Sequence, residues 1–191
     1  MTEPLIDFLK LFRNISKEDA ATITAACKHR TVAEGEVLLE QGKMAREFFF
    51  IIKGVLRIVS ANDKGVPVIY FFLKENQFCT ILKSFSSSTI PANEGIEAAC
   101  DAELLSITKE KLYQLYKQIS YLKELIDSIT QQSLLDKMEL RNSYLGEDAS
   151  TRYRNFSLRQ PDIALRVSLS DVASYLCITQ QSLSRIRKNT R

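Results

Sequence analysis

The chain has 191 residues, of which 45% are hydrophobic and 26% are charged, as in an ordinary globular protein with one large or two small domains. No apolar run approaches the ~20 residues of a membrane-spanning helix, and the N-terminus lacks a signal-peptide pattern, so we expect a cytoplasmic protein without a membrane partner. Four scattered cysteines and a single histidine argue against a metal site and against general acid–base catalysis, so we expect no enzyme.

The net charge of +3 is unevenly distributed along the chain. From Thr151 onward, eight arginines and lysines are opposed by two aspartates, which gives +6, whereas the first 150 residues carry −3. A basic C-terminal module on a mildly acidic body suggests a polyanionic partner at one end of the molecule. The alternative is a solvated basic surface without a partner.

The first part of the chain predicts two helices followed by a β-domain. "PLIDFLKLF" and "SKEDAATITAACK" are helical in pattern, and Ser16 is a suitable N-cap for the second. "EFFFIIKGVLRIVS" and "VPVIYFFL" have the composition of strands, and "SANDKGVP" between them has the residues of a hairpin turn. Short strands with turn signals every 8–12 residues up to about Ile107 predict a β-sandwich or barrel.

A long helix is predicted from Lys109 to about Leu145, since the segment contains neither Pro nor Gly. At ~1.5 Å per residue it would reach ~50 Å, more than a small domain needs. We therefore favour a coiled coil between two copies, and the alternative is a helix packed on its own β-domain; both can hold along different stretches. The apolar seam of this helix consists of Leu112, Leu115, Ile119, Leu122, Ile126 and Ile129.

The last segment predicts two short helices joined by a tight turn. "GEDAS", from Gly146, breaks the long helix as a hinge, and a further helix ends before Pro161. In "SLSDVASYLCITQQSLSRIRK", Ser170 is the expected N-cap of one helix and Thr179 that of the next. The inward-facing positions have the spacing of a helix-turn-helix. They are Val172, Ala173, Leu176, Leu183 and Ile186.

The outer face of the second helix has the chemistry of a DNA reader. Arg pairs bidentately with guanine and Gln with adenine, while hydroxyls, basic side chains and helix-start amides suit phosphates. The alternative is a helix-turn-helix that serves only in packing, within a module that binds a small molecule or a protein. The candidate DNA-binding residues are Thr179, Gln180, Gln181, Ser182, Ser184, Arg185, Arg187 and Lys188.

These segments together resemble the Crp/Fnr family of transcription regulators. "VAEGEVLLEQGKMAREFFFIIKGVLRIV" is similar to the family's cyclic-nucleotide-binding β-roll, and "SLSDVASYLCITQQSLSRIRK" is similar to its DNA-binding domain. The resemblance implies an α+β protein with a jelly-roll-like double-stranded β-helix at 1–108, a dimerisation helix at 109–145 and a winged-helix-like helix-turn-helix domain at 146–191. It also implies a homodimer on double-stranded DNA, with RNA polymerase as a possible further partner. "ALRVSLS" is the candidate for a wing strand, and Cys177 stands at a turn position that is often Gly in the family.

The effector segment departs from the pattern of family members that bind cyclic AMP. Thr80 and Ile81 stand where those members have Gly and Glu, and their phosphate-binding Arg falls at Ala92 or Asn93. No Arg occurs between Arg57 and Arg141, so we expect no cyclic AMP or cyclic GMP and no cofactor. Either the roll binds an unidentified small-molecule effector, or it is a vestigial sensor that serves as a dimer scaffold. For "SFSSST" we favour a polar loop over a phosphate-binding segment. The candidate effector pocket consists of Thr80, Ile81, Lys83, Ser84, Ala92 and Asn93.

Overall fold

The computed structural model describes residues 3–61 and 65–189, and it confirms an α+β fold with a β-roll followed by helices. Within these residues, no helix is both long and apolar enough to cross a membrane. The elements, in chain order, are α1 Glu3–Lys10, α2 Lys17–Ala26, β1 Lys28–Val32, β2 Val37–Leu39, β3 Glu47–Lys53, β4 Leu56–Ala61, β5 Pro67–Leu73, β6 Phe78–Cys79, α3 Leu82–Ser86, β7 Gly95–Ala98, β8 Ala102–Thr108, α4 Lys109–Gln118, α5 Leu122–Asn142, α6 Ala149–Arg159, α7 Pro161–Ala164, α8 Leu169–Tyr175 and α9 Gln180–Asn189.

The β-roll consists of two antiparallel four-stranded sheets, ordered β1-β8-β3-β6 and β2-β7-β4-β5. Strand β3 is apolar on both faces because it lies inside the first sheet and under helix α1, whose Phe8 ring packs 5.5 Å from that of Phe50. The predicted hairpin is confirmed by the pairing of β4 with β5. Residues 62–64 of its turn lie outside the described residues.

The predicted long helix is interrupted. Helix α4 ends at Gln118 and α5 begins at Leu122, because Ile119 adopts an extended conformation and the Tyr121 hydroxyl donates a hydrogen bond to Asp19 of α2 at 2.7 Å. Helix α5 ends at Asn142, three residues before the predicted end.

The favoured dimer seam is wrong for the six residues that defined it. Leu112, Leu115, Ile119, Leu122, Ile126 and Ile129 are all buried in one core with the strands of their own β-roll. The alternative, a helix packed on its own β-domain, therefore holds for 109–129. Periodicity showed that this face is buried, but a coiled-coil partner and a sheet produce the same spacing.

Helices α6 to α9 form a second core around Phe156, Leu176 and Leu183. Helix α8 starts at Leu169 and its N-cap is Ser168, not the predicted Ser170, because the Ser168 hydroxyl accepts the hydrogen bond from the Asp171 amide. "ALRVSLS" forms no strand; it connects α7 to α8 and enters α8. The predicted break at "GEDAS" is confirmed, with Gly146 at φ +81° and Asp148 capping α6.

Gly54 provides a test of how closely the β3–β4 turn approaches β8. Its φ is +100°, and a Cβ there would lie 2.5 Å from the Cβ of Ala102. We expect Gly54→Ala to lower the free energy of unfolding by about 3 kcal/mol, since left-handed strain and overpacking add. The control is Gly65→Ala, at a φ of +74°. A Cβ added there would meet no heavy atom of another described residue within 4 Å, so only the left-handed backbone strain of about 1 kcal/mol applies. Urea denaturation measures both, and equal losses would contradict the close approach.

Candidate nucleic-acid interface and ligand cavity

Helices α8 and α9 are the two short helices, joined by a tight turn, that the sequence predicts. Val172, Ala173 and Leu176 of the first half and Leu183 of the second are buried, and Ile186 is half-buried. The Thr179 hydroxyl accepts the Ser182 amide at 3.1 Å, which confirms Thr179 as the N-cap of α9. The two helices are thus fixed against each other by apolar contacts on one side only.

The turn between these helices depends on Cys177. Its φ is +54°, the left-handed conformation that Gly adopts without strain, and the Ile178 amide donates to the Ala173 carbonyl at 3.0 Å to close the turn. The side chain is exposed and its thiol is free.

The outer face of α9 remains open to solvent. Gln180, Gln181, Ser184, Arg185 and Lys188 are exposed, and Arg187 is half-buried. Thr179 and Ser182 hold the start of the helix, since their hydroxyls hydrogen-bond to each other at 2.9 Å. The predicted DNA-binding residues therefore lie on or beside one short helix, with basic side chains concentrated in its last turn.

A half-buried ion-pair cluster joins α8 to the β-roll. The Arg57 guanidinium of β4 donates to Asp171 of α8 at 2.7 Å and to Glu97 of β7 at 2.7 Å. Only 9% of Asp171 is exposed. Burial opposes the charge of Arg57, but the hydrogen bonds and charges of the two carboxylates outweigh burial and raise its pKa.

Further contacts between α8 and the β-roll surround this cluster. The Ile69 amide of β5 donates to the Ser174 hydroxyl of α8 at 3.1 Å, and the Phe72 and Tyr175 rings lie 5.1 Å apart. Arg166, which lies between α7 and α8, forms an ion pair with Glu75, which follows β5. The sequence contained one signal for this interface: Asp171 is an acidic residue on the inward side of a helix in an otherwise basic module.

A cavity of about 230 Å³ lies between strands β4 and β5, the β6–α3 segment and helix α5. Its wall is mainly apolar, and the polar groups on it include Thr80, Thr130, Ser133, Lys83 and Glu94. The apolar lining includes Phe48, Ile58, Phe71, Leu73, Phe78 and Leu134.

The predicted effector residues are only partly brought together. Thr80, Ile81 and Lys83 line the cavity, and the Thr80 hydroxyl donates to the Glu47 carbonyl at 3.0 Å. The other three lie outside the described lining of this cavity. Ser84 is fully buried and accepts the Ala45 amide at 3.0 Å, Ala92 is buried and Asn93 is exposed.

Lys137 of α5 is a lining residue that the sequence reasoning missed. Its amine donates to Gln77 Oε1 and to Ser133 Oγ, each at 3.0 Å, and burial lowers its pKa to about 8. The Cys79 thiol is fully buried nearby, and burial raises its pKa to about 12. The available signal was Ser133, a polar residue on the apolar seam of the predicted helix. Among the described residues, no cluster of His, Cys, Asp or Glu is placed to hold a metal ion.

The comparisons with known proteins agree with this architecture. Residues 29–119 match the family model of the cyclic nucleotide-binding domain. No curated protein matches the sequence of the chain.

Solved structures of Crp/Fnr type share the fold. A protein from Eubacterium rectale described as a Crp/Fnr-family transcriptional regulator superposes with a TM-score of 0.74 at 17% identity, over 96% of this chain and 87% of that one. The c-di-GMP responsive global regulator CLP of Xanthomonas campestris gives 0.70 at 15% identity, over 92% and 91%. FixK2 of Bradyrhizobium japonicum gives 0.70 at 16% identity, over 85% and 83%. The chain therefore has the fold of Crp/Fnr regulators.

The Arg57 cluster predicts a large energetic effect of one substitution. We expect Arg57→Met to lower the free energy of unfolding by about 2 kcal/mol, because it leaves the largely buried Asp171 and the half-buried Glu97 carboxylates without a partner. Lys74→Met is the matched control, since it breaks the more exposed Lys74–Asp162 pair, and it should leave stability unchanged. Urea denaturation measures both variants. Equal stability of the two would show that the cluster does not hold α8 on the β-roll.

Proposed function

We propose that the protein is a homodimeric, sequence-specific DNA-binding transcription regulator of Crp/Fnr type, controlled by a small-molecule effector in the β-roll. The observation that carries this proposal is the solvent-exposed polar face of α9, which stands on a buried helix-turn-helix in the basic part of the chain. No buried contact uses Gln180, Gln181 or Arg185 among the described residues, so packing alone does not account for their presence.

The proposed contacts divide into two classes. Arg185 and the two glutamines would read base edges in the major groove, where bidentate pairs distinguish base pairs. Arg187, Lys188 and the amides at the start of α9 would hold phosphates and fix the register. Two copies of α9 would enter successive major grooves of a near-palindromic site, ~34 Å apart.

The second half of α5 supports the proposed dimer. Leu135 and Met138 are 60% and 48% exposed on α5, beyond the residues that pack on the β-roll. Two such side chains one turn apart on a helix suit contact with the same helix of a second copy. The proposed dimer contact is thus shorter than the predicted seam, and it begins near Leu134.

The cavity supports an effector other than a cyclic nucleotide. A cyclic phosphate is typically held by an arginine, whose planar guanidinium donates two parallel hydrogen bonds to it. No arginine occurs among the described lining residues, and the Thr80 hydroxyl is already engaged with the Glu47 carbonyl. The proposed effector is therefore of a different chemical class.

Selection from a random-sequence duplex library, at two salt concentrations, tests the function. We expect the full chain to enrich a palindrome with half-sites about one helical turn apart. If binding falls steeply with salt and no motif is enriched, the basic segment binds phosphates without reading the base sequence. No binding under either condition, with and without cavity ligands, would favour a ligand- or protein-binding module whose helix-turn-helix only packs.

Two substitutions on α9 separate base reading from phosphate binding. Arg185→Ala should weaken binding to the selected site by about 1–3 kcal/mol and relax the preference at one base position. Lys188→Ala should weaken binding to all sequences alike and reduce the dependence on salt. Fluorescence anisotropy on matched and scrambled duplexes measures both. Unchanged affinity and base preference in Arg185→Ala would show that α9 is not the reading helix.

A charge on α5 tests the dimer contact. Leu135→Glu should convert the dimer to a monomer, because a buried, unpaired carboxylate would face the partner helix. Leu165→Glu is the control, since Leu165 is even more exposed but lies after α7, and it should remain a dimer. Light scattering after size-exclusion chromatography gives the mass of each variant. Dimers in both cases would place the contact elsewhere.

A further inference from the structure

Lys137 is a half-buried cation on the wall of the cavity, and its hydrogen bonds go to neutral groups. Its amine has two neutral oxygen acceptors, Gln77 Oε1 and Ser133 Oγ. Among the described residues, no carboxylate oxygen forms an ion pair with it within 4.0 Å. A partly desolvated charge without an ion-pair partner is unfavourable, so the site favours an anion beside the amine.

The other groups on the cavity wall determine which chemical groups such an anion would have besides its charge. Phe48, Phe71 and Phe78 supply aromatic surface, and the Thr130 hydroxyl is bonded to the Ile126 carbonyl at 2.7 Å. The Thr80 hydroxyl is likewise bonded to backbone. Since these hydroxyls already donate, the wall offers few free donors to a polyhydroxylated or multiply charged ligand.

Of the charged residues on the cavity lining, Lys137 is the one that would distinguish an anionic from a neutral ligand. Lys83 is exposed and Glu94 is half-buried, and together these two lining residues contribute no net charge to the cavity. Asp136, next to Lys137 in the chain, is exposed to solvent. Burial lowers the pKa of Lys137 to about 8, and the nearby Asp136 charge offsets the effect of burial only in part.

We propose that this cavity binds a small, largely apolar monoanion, of the arylalkanoate kind, with Lys137 as its counter-ion. A volume of about 230 Å³ accommodates an aromatic ring and a short acidic chain, since an apolar cavity of about 150 Å³ is enough for benzene. The inference names the effector class within the proposed regulator, but ligand binding itself does not require that the chain bind DNA.

Three probes with one carbon skeleton test the charge. We would titrate the full chain with 4-phenylbutyrate, 4-phenylbutanamide and 4-phenylbutylamine by isothermal calorimetry near neutral pH. The carboxylate should bind about tenfold more tightly than the amide, and the amine should bind most weakly. This comparison uses the natural sequence, so it remains decisive even where a variant fails to fold. Equal affinities, or no binding of any probe, would overturn the proposal.

Two lysine variants assign the effect to a residue. Lys137→Met should reduce the affinity for the carboxylate about tenfold and leave that for the amide unchanged, because methionine keeps the length of the side chain without the charge. Lys83→Met should retain the preference for the carboxylate, since Lys83 is exposed. Loss of the preference in Lys83→Met alone would move the counter-ion to the cavity rim and overturn the role of Lys137. The titrations contain no DNA, so their failure is distinguishable from failure of the proposed DNA binding.

Discussion

A single guanidinium connects the β-roll to helix α8. Arg57 projects from β4 and holds Glu97 of the neighbouring strand together with Asp171 of α8, the first helix of the helix-turn-helix. Removing charges from water is expensive, and the three groups repay that cost only when all are in place. The position of α8 against the β-roll therefore depends on this cluster together with the Ile69–Ser174 hydrogen bond and the Phe72–Tyr175 ring contact.

Strand β5 contributes to both the ligand cavity and the core that contains α8. Phe71 and Leu73 line the cavity, whereas Ile69 and Phe72 belong to the core that contains α8. The alternation of side chains along a strand makes this division, and an extra residue at Tyr70 shifts the pairing with β4 at that point. Arg141 of α5 donates to the Tyr70 carbonyl at 2.7 Å. A ligand that displaces Phe71 thus acts on the same strand that α5 and α8 contact.

Local signals in the sequence predicted much of the fold, and distant pairings did not follow from them. Thr179 and Ser16 were identifiable as N-caps because a cap depends on residues two or three positions away. The seam from Leu112 to Ile129 was visible as buried, but its partner was not, since a sheet and a second helix impose the same period. Arg57 and Asp171 are 114 positions apart, so only the folded chain brings them together. Lys137 was missed for the same reason: its role depends on which face of α5 covers the β-roll.

Helix α5 gives the cavity a half-buried positive charge, whereas the segment from 80 to 93 provides only an exposed one. In that segment the exposed Lys83 is the nearest cation on the cavity lining, whereas Lys137 reaches the cavity from the helix that covers it. Met138, the next residue, points to the solvent-exposed side where the second copy is proposed to bind. Residues one position apart on a helix face directions about a quarter-turn apart, so the cavity lining and the proposed dimer contact occupy adjoining faces of α5. Leu134, which lines the cavity, precedes Leu135 of that contact directly in the chain, so the same turns of α5 serve both surfaces.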